Sequence, residues 1–280
     1  MKTELSLGYS PCPNDTYIFY ALTHNKLALQ GFELASPLLE DVETLNLWAM
    51  ENKLDITKLS FHALGHVLDE YCVLSAGSAL GRGCGPLLVA KPGFDPDKLK
   101  NAKIAIPGRL TTANLLFRMY APSAGNLLEF RFDTIMDAVI NGDVDGGVII
   151  HESRFTYADQ GLICLQDLGQ WWEETSGYPI PLGCIASKRS LGKDRILQID
   201  QAIHDSIFWA DKNVNECLPY IQQYAQEMDK EVMQNHIGLY VNNYSKDLGI
   251  EGMAAIESFL RLGREAGILP GLSKELQLQI

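Results

Sequence analysis

Gly85-Pro86-Leu87-Leu88-Val89-Ala90-Lys91 decides the fold, because its pattern returns at Pro181-Leu182-Gly183-Cys184-Ile185-Ala186-Ser187-Lys188. Both stretches read as short apolar strands ending in alanine and lysine, each with glycine and proline at its start. Between them lies a complete α/β unit: a strand at Ala102–Ile106, a helix from Thr111 to Tyr120, a helical segment at Ile135–Ile140 and a strand at Val144–Ile150. A self-contained block between two matching strands predicts an inserted second domain with two crossings. The expected division is a smaller inserted α/β lobe at 91–186 and a larger discontinuous α/β lobe formed by 1–90 and 187–280.

Upstream of the first crossing, strands are expected at Leu5–Tyr9, Phe32–Pro37 and Asp55–Leu59. They alternate with helices at Thr16–Leu22, at Asp41–Met50 and over a segment holding His62 and His66, which predicts a mainly parallel sheet. Downstream of the second crossing the chain reads as helices Asp194–Asp211, Asn213–Gln226, Lys230–Val241 and Ile250–Ala266, returning to the first lobe. The result is a two-lobed α/β architecture with two hinge strands and a ligand cleft between the lobes, where small-molecule sites often lie.

Composition narrows the partners. The 280 residues are 46% apolar and 21% charged, an ordinary globular balance. The net charge of -12 disfavours nucleic acid and anionic membrane surfaces. An anionic small molecule remains compatible, since nearby helix termini and lysines outweigh distant charge inside a cleft. Six cysteines include no C-x-x-C pair, so neither a zinc site nor a disulfide framework is expected. The segment Met1–Gly8 lacks an apolar signal core and no stretch is long enough to span a bilayer, so a cytoplasmic chain with reduced thiols is expected.

Four places carry groups suited to chemistry. His151 follows the buried strand Val144–Ile150, at the strand end where open α/β sheets hold ligands. An unperturbed pKa near ~6.5 lets such a histidine accept a proton at neutral pH, although a strand-end histidine satisfied by backbone fits equally. The turn Ser10–Thr16 offers helix N–H groups together with Ser10 and Asn14, or plain capping by Asn14 or Asp15. Lys58-Leu59-Ser60 offers an ammonium and a hydroxyl beside backbone donors, or a snorkelling lysine and a cap. Pro107–Asn114 places Thr111, Thr112 and Ala113 at a helix start, suited to an anion or again to capping.

Other features read more weakly. Gly81–Gly85 lacks phosphate-loop spacing and is expected to lend hinge flexibility, while Trp171 and Trp172 either line the cleft or pack. His62 and His66 stand four apart on a predicted helix but have no third ligand, so no metal is expected. His24, His204 and His236 read as surface or helix-face residues without partners.

Taken together, Leu7–Thr16, Leu39–Asn46, Thr57–Ser60, Pro107–Arg109 with Thr111–Ala113, His151–Tyr157 and Trp171–Glu174 resemble the 1,4-dihydroxy-6-naphthoate synthase family of the futalosine route to menaquinone. The resemblance runs to about Ser187; Leu110 stands where a polar residue is expected. It implies a type II periplasmic-binding-protein-like fold and a cytoplasmic lyase. The implied reaction takes cyclic dehypoxanthine futalosine to 1,4-dihydroxy-6-naphthoate and a sugar-derived fragment, with no cofactor and no metal. It also implies His151 as the general base, with Lys58, Leu59, Ser60 and the Thr112–Ala113 turn as substrate contacts. A receptor that closes on a small anion without chemistry, or the sister chorismate dehydratase of the same fold, are the competing readings.

Overall fold

The computed structural model describes residues 3–225, 230–271 and 274–277. In chain order its strands are β1 Thr3–Leu5, β2 Leu7–Tyr9, β3 Phe32–Leu34, β4 Leu38–Leu39, β5 Ile56–Ser60, β6 Tyr71–Val73 and β7 Ala79–Gly81. There follow β8 Leu87–Ala90, β9 Ile104–Ile106, β10 Leu127–Glu129, β11 Gly146–Ile149, β12 Ile163–Asp167 and β13 Ile180–Lys188. One sheet has the order β4-β2-β5-β13-β6 with β7 also on β13; a second has the order β10-β9-β11-β8-β12; β1 and β3 pair separately.

Both main sheets are mixed, which corrects the expectation of a mainly parallel one. Pairs β2–β4, β2–β5, β9–β10 and β9–β11 are parallel, as helical crossovers require. The two matching strands break the pattern, since β13 runs antiparallel to β5, β6 and β7, and β8 antiparallel to β11 and β12.

Those strands also fall in different sheets. Leu87–Ala90 lies in the sheet of the inserted block, and Ile180–Lys188 lies in the sheet of the first lobe. Sheet membership therefore differs from the boundaries expected at 90 and 186. The chain passes to the second sheet between Gly81 and Leu87 and returns between Asp167 and Ile180. Gly85 lies in the first passage, where an added Cβ would stand 2.3 Å from the Gly169 Cα. That position is a close backbone packing point rather than the hinge flexibility expected of Gly81–Gly85.

Each lobe has its own core. Leu5, Leu7, Phe32, Ile56 and Ile185 pack with helix Lys193–Lys212 through Ile199, Ile203 and Ile207. Leu87, Val89, Ala105 and Ile149 pack with Ile135 and Val139 of helix Ile135–Asn141. A third cluster joins the lobes, bringing Phe61, Phe117, Val148, Trp172, Cys184 and Phe259 together. Trp172 is committed to this core, with its indole N–H on Pro179 O and its ring edge-on to Phe259, and Trp171 sits against Tyr120.

Local signals explain several element ends. The first helix runs Pro13–Thr23 and starts earlier than the expected Thr16, because Pro13 occupies its first turn, where a missing N–H costs nothing. Asn14 and Asp15 are thereby inside the helix and not caps. Asp41 caps Val42–Met50 through Glu43 N and Thr44 N, and Thr111 caps Thr112–Tyr120 through Asn114 N. The helix holding His62 is only Phe61–Leu64, so His66 lies outside it and the expected helical spacing of the two histidines is absent. The expected helix end at Gln226 falls outside the described residues, as do Met1 and Lys2. Among the described residues, no helix is long and apolar enough to cross a membrane.

Candidate active site

Between the two sheets lies a cavity lined from the first lobe by Ser10, Asn14, Asp15, Lys58, Ser60 and His236. From the second lobe come Thr111, Thr112, Ala113, Ile150 and His151.

The first-lobe wall is a buried network built on β5 and the first helix. Strand alternation turns Lys58 and Ser60 to one face and Leu59 to the other. Lys58 Nζ donates to Asp15 Oδ1 at 2.6 Å, and both side chains are almost fully enclosed. Asn14 Nδ2 donates to the same Asp15 oxygen at 2.8 Å, and His236 Nε2 meets Asn14 Oδ1 at 3.0 Å. Beside this chain, Asn46 Nδ2 donates to Ser60 Oγ at 3.0 Å while Ser60 N donates to Asn46 Oδ1 at 2.9 Å. Ser10 Oγ accepts from Cys12 N at 3.2 Å. The Ser10 and Ser60 hydroxyls are thus acceptors within the wall, and each retains its proton for a ligand.

The second-lobe wall is different in kind. His151 has φ of 57°, the left-handed region that side chains with a Cβ seldom occupy. Its Nδ1 lies 3.6 Å from Cys12 Sγ, and Phe132 stands edge-on to its ring at 5.0 Å. The imidazole of His236 is stacked near-parallel with it, ring centres 6.2 Å apart. Burial lowers the His151 pKa to about 4; the Lys58 ammonium pushes the same way, and Asp41 opposes it. His151 is therefore a neutral imidazole at pH 7. Burial, with His151 and Lys58 nearby, holds His236 well below the ordinary histidine range as well. Cys12 is kept a thiol, its pKa raised by burial and by Glu152 and Asp15.

The threonine turn is tied across the lobes. Thr112 Oγ1 accepts from Phe61 N at 3.1 Å and donates to Leu182 O at 2.6 Å, so its hydroxyl is engaged on both sides. Thr111 Oγ1 donates to Gly108 O at 2.9 Å and caps Asn114 N. The backbone N–H groups of Thr112 and Ala113, in the first turn, have no acceptor within their own helix. His62 Nδ1 lies 3.1 Å from Thr111 O, which holds the turn from the first lobe. Glu43 also reaches across, accepting from Leu110 N at 2.9 Å.

The structure brings His151, Lys58, Ser60, Thr111, Thr112, Ala113, Ser10 and Asn14 to one cavity. It does not bring the Leu59 side chain there; Leu59 is fully buried in the joining core, as its place between Lys58 and Ser60 on a strand dictates. In the sequence Asp15 offers only a cap and Asn46 has no assigned role, although both sit in the quoted segments. His236 is a correction. Read as a partnerless helix-face residue, it is completely buried, bonded to Asn14 and part of the cavity wall. Its signal is absent locally, because helix Lys230–Tyr240 buries it only through contact with the distant first helix.

The chain is 47% identical over 252 residues to a 1,4-dihydroxy-6-naphthoate synthase of Thermus thermophilus, covering 90% of this chain and 91% of that protein. It is 41% identical over 276 residues to the enzyme of the same name from Streptomyces coelicolor, covering 97% and 96%. A crystal structure of an Archaeoglobus fulgidus protein superposes with a TM-score of 0.89 at 35% identity, over 95% of this chain and 98% of that one. The alkanesulfonate-binding protein of Xanthomonas axonopodis pv. citri, bound to MOPS, gives 0.72 at 13% identity over 96% and 95%, and shows that the fold is periplasmic-binding-protein-like. A family model described as menaquinone biosynthesis matches residues 5–265, and the chain belongs to that family.

Proposed function

We propose that this protein is the lyase that converts cyclic dehypoxanthine futalosine to 1,4-dihydroxy-6-naphthoate, with His151 as the proton acceptor. The observation that carries the reading is a neutral His151 sharing one cavity with the Lys58 ammonium, in a chain of the menaquinone-biosynthesis family. The substrate's anionic group is held by Lys58, the hydroxyls of Ser10 and Ser60, and the N–H groups of Thr112 and Ala113. Leu59 contributes only through its strand backbone, and Asn14 and the Thr111 hydroxyl shape the wall without donating to the ligand.

The chemistry asks little beyond what these groups supply. Removal of one proton by His151 starts an elimination: the electron pair moves into the ring, the bond to the sugar-derived fragment breaks, and that fragment leaves with the bond's electrons and takes up a proton as the ring becomes aromatic. Aromatisation drives the step. Base catalysis typically contributes ~10²–10⁴-fold, so orientation between the lobes supplies much of the remainder. Cys12 Sγ, in contact with the ring, and the backbone at φ 57° fix where the imidazole points.

The test is His151→Ala assayed for naphthoate release, with chorismate offered in parallel. The variant is expected to lose ~10²–10⁴-fold in kcat while still binding the cyclic substrate. Near wild-type turnover by a folded variant rejects His151 as the base. Turnover of chorismate in its place rejects the substrate.

A further inference from the structure

The geometry points to His236 as a second functional histidine, whose Nδ1 accepts a hydrogen bond from a hydroxyl on the sugar-derived part of the bound substrate. The inference rests on the substrate proposed above and concerns a different residue from the base.

Asp15 sets the tautomer of His236 through Asn14. A carboxylate only accepts hydrogen bonds, so the group that Asn14 presents to Asp15 at 2.8 Å is its NH₂. Lys58 donates to the same oxygen at 2.6 Å, which fixes the charge of that end of the chain. The Asn14 amide therefore turns its carbonyl to His236, and a carbonyl cannot donate. At 3.0 Å from that oxygen, His236 Nε2 carries the proton. A neutral imidazole with a proton on Nε2 has a bare lone pair on Nδ1. Burial, with His151 and the Lys58 ammonium nearby, keeps the ring neutral.

Among the described residues that lone pair has no partner: His236 is fully buried, and its Nδ1 makes no hydrogen bond with any of them. Buried polar atoms are nearly always bonded, and the exceptions ask for an explanation. The ring also borders the cavity, stacked near-parallel with His151 from the opposite lobe. Tyr240, one turn further along the helix, is turned to Cys84 O at 3.4 Å and offers Nδ1 nothing. A four-group relay thus ends in one unfilled acceptor, on a ring that borders the cavity. A hydroxyl fits it, because a hydroxyl donates there and still accepts from Ser10 or Ser60.

Two near-isosteric substitutions separate a ligand contact from a scaffolding role. His236→Gln keeps an N–H where Nε2 was, and so keeps the bond to Asn14, but has no acceptor at the Nδ1 position. His236→Asn places a carbonyl near the Nδ1 position and gives up the bond to Asn14. Loss of an acceptor for a buried hydroxyl corresponds to roughly 10- to 100-fold in kcat/KM, expected for His236→Gln. His236→Asn is expected to be the less impaired of the two. A His236→Gln enzyme within about threefold of wild type overturns the proposal, as does a His236→Asn enzyme that is the worse of the pair. Should either variant fail to fold, nitrogen-15 NMR of the His151→Ala protein tests the same contact directly. Adding the cyclic substrate is expected to move the His236 Nδ1 resonance upfield, and an unmoved resonance in the saturated complex overturns the proposal. A wild-type enzyme that does not turn this substrate over instead overturns the reading beneath it.

Discussion

The two walls of the cleft hold their histidines in opposite ways. On the first lobe, Lys58, Asp15, Asn14 and His236 are hydrogen-bonded in series, and His236 sits in an ordinary helix. On the second lobe, His151 has a backbone in the left-handed region and a single sulfur beside its ring nitrogens. The first arrangement fixes charge and donors before any ligand arrives, which is how a site binds without reorganising. The second stores strain at one residue, a condition that persists only where surrounding structure imposes it. In the proposed reaction, the first wall supplies the ammonium and hydroxyls that bind the substrate, joined by the Thr112 and Ala113 N–H groups of the second, and proton transfer belongs to His151 on the second. The difference is measurable as stability on one side and reactivity on the other.

The largest expected effect is on the first wall. Lys58→Met leaves the Asp15 carboxylate enclosed without its cation, and breaking a buried pair from one side typically costs ~3–5 kcal/mol. Urea unfolding of the single variant is expected to show that loss, and Lys58→Met with Asp15→Asn together should regain most of it. A Lys58→Met protein as stable as wild type would mean that this wall is not held by its ion pair.

Next comes the acid limb of activity. As the proposed base, His151 works as the neutral imidazole, so activity is expected to be lost as pH falls through its pKa. Burial lowers that pKa most, the Lys58 ammonium lowers it further and Asp41 raises it, while His236 and the Cys12 thiol also face the ring. For the free enzyme the value is about 4, so kcat/KM should hold down to that pH and fall below it. An anionic substrate on Lys58 offsets the ammonium and moves the limb of kcat to higher pH. Coincident limbs near ~6.5 would mean that neither burial nor Lys58 acts on His151.

How much of this was legible in sequence follows from the range of the interactions. The two matching strands, and the strand end that presents His151, are local patterns of alternation and turn residues. So are Lys58 and Ser60 on one strand face, and that same period of two already places Leu59 on the other. The direction of β8 and β13 was not legible, because antiparallel pairing is decided by which strand lies alongside. Nor was His236, which becomes part of the site only when helix Lys230–Tyr240 packs against Pro13–Thr23, 222 residues away from Asn14 in sequence. The left-handed φ of His151 carries no sequence signal either, since glycine is the usual residue there.

The smallest effect tests the contrast most directly. Alanine and glycine both delete an imidazole, so the difference between the two variants at one position isolates the backbone. At His151, with φ of 57°, alanine keeps the Cβ penalty and glycine releases it. His151→Gly should therefore be the more stable of the pair by ~1 kcal/mol, although both lose turnover. At His236, inside helix Lys230–Tyr240, the order reverses: glycine in a helix interior is less favourable than alanine by ~1 kcal/mol. Four thermal or urea melts decide the matter. The same sign at both positions would show that the backbone of His151 is not strained, and that the ring alone distinguishes the two walls. Opposite signs would locate the strain at the histidine proposed to take the proton, where a relaxed backbone would let the imidazole turn away from the cleft.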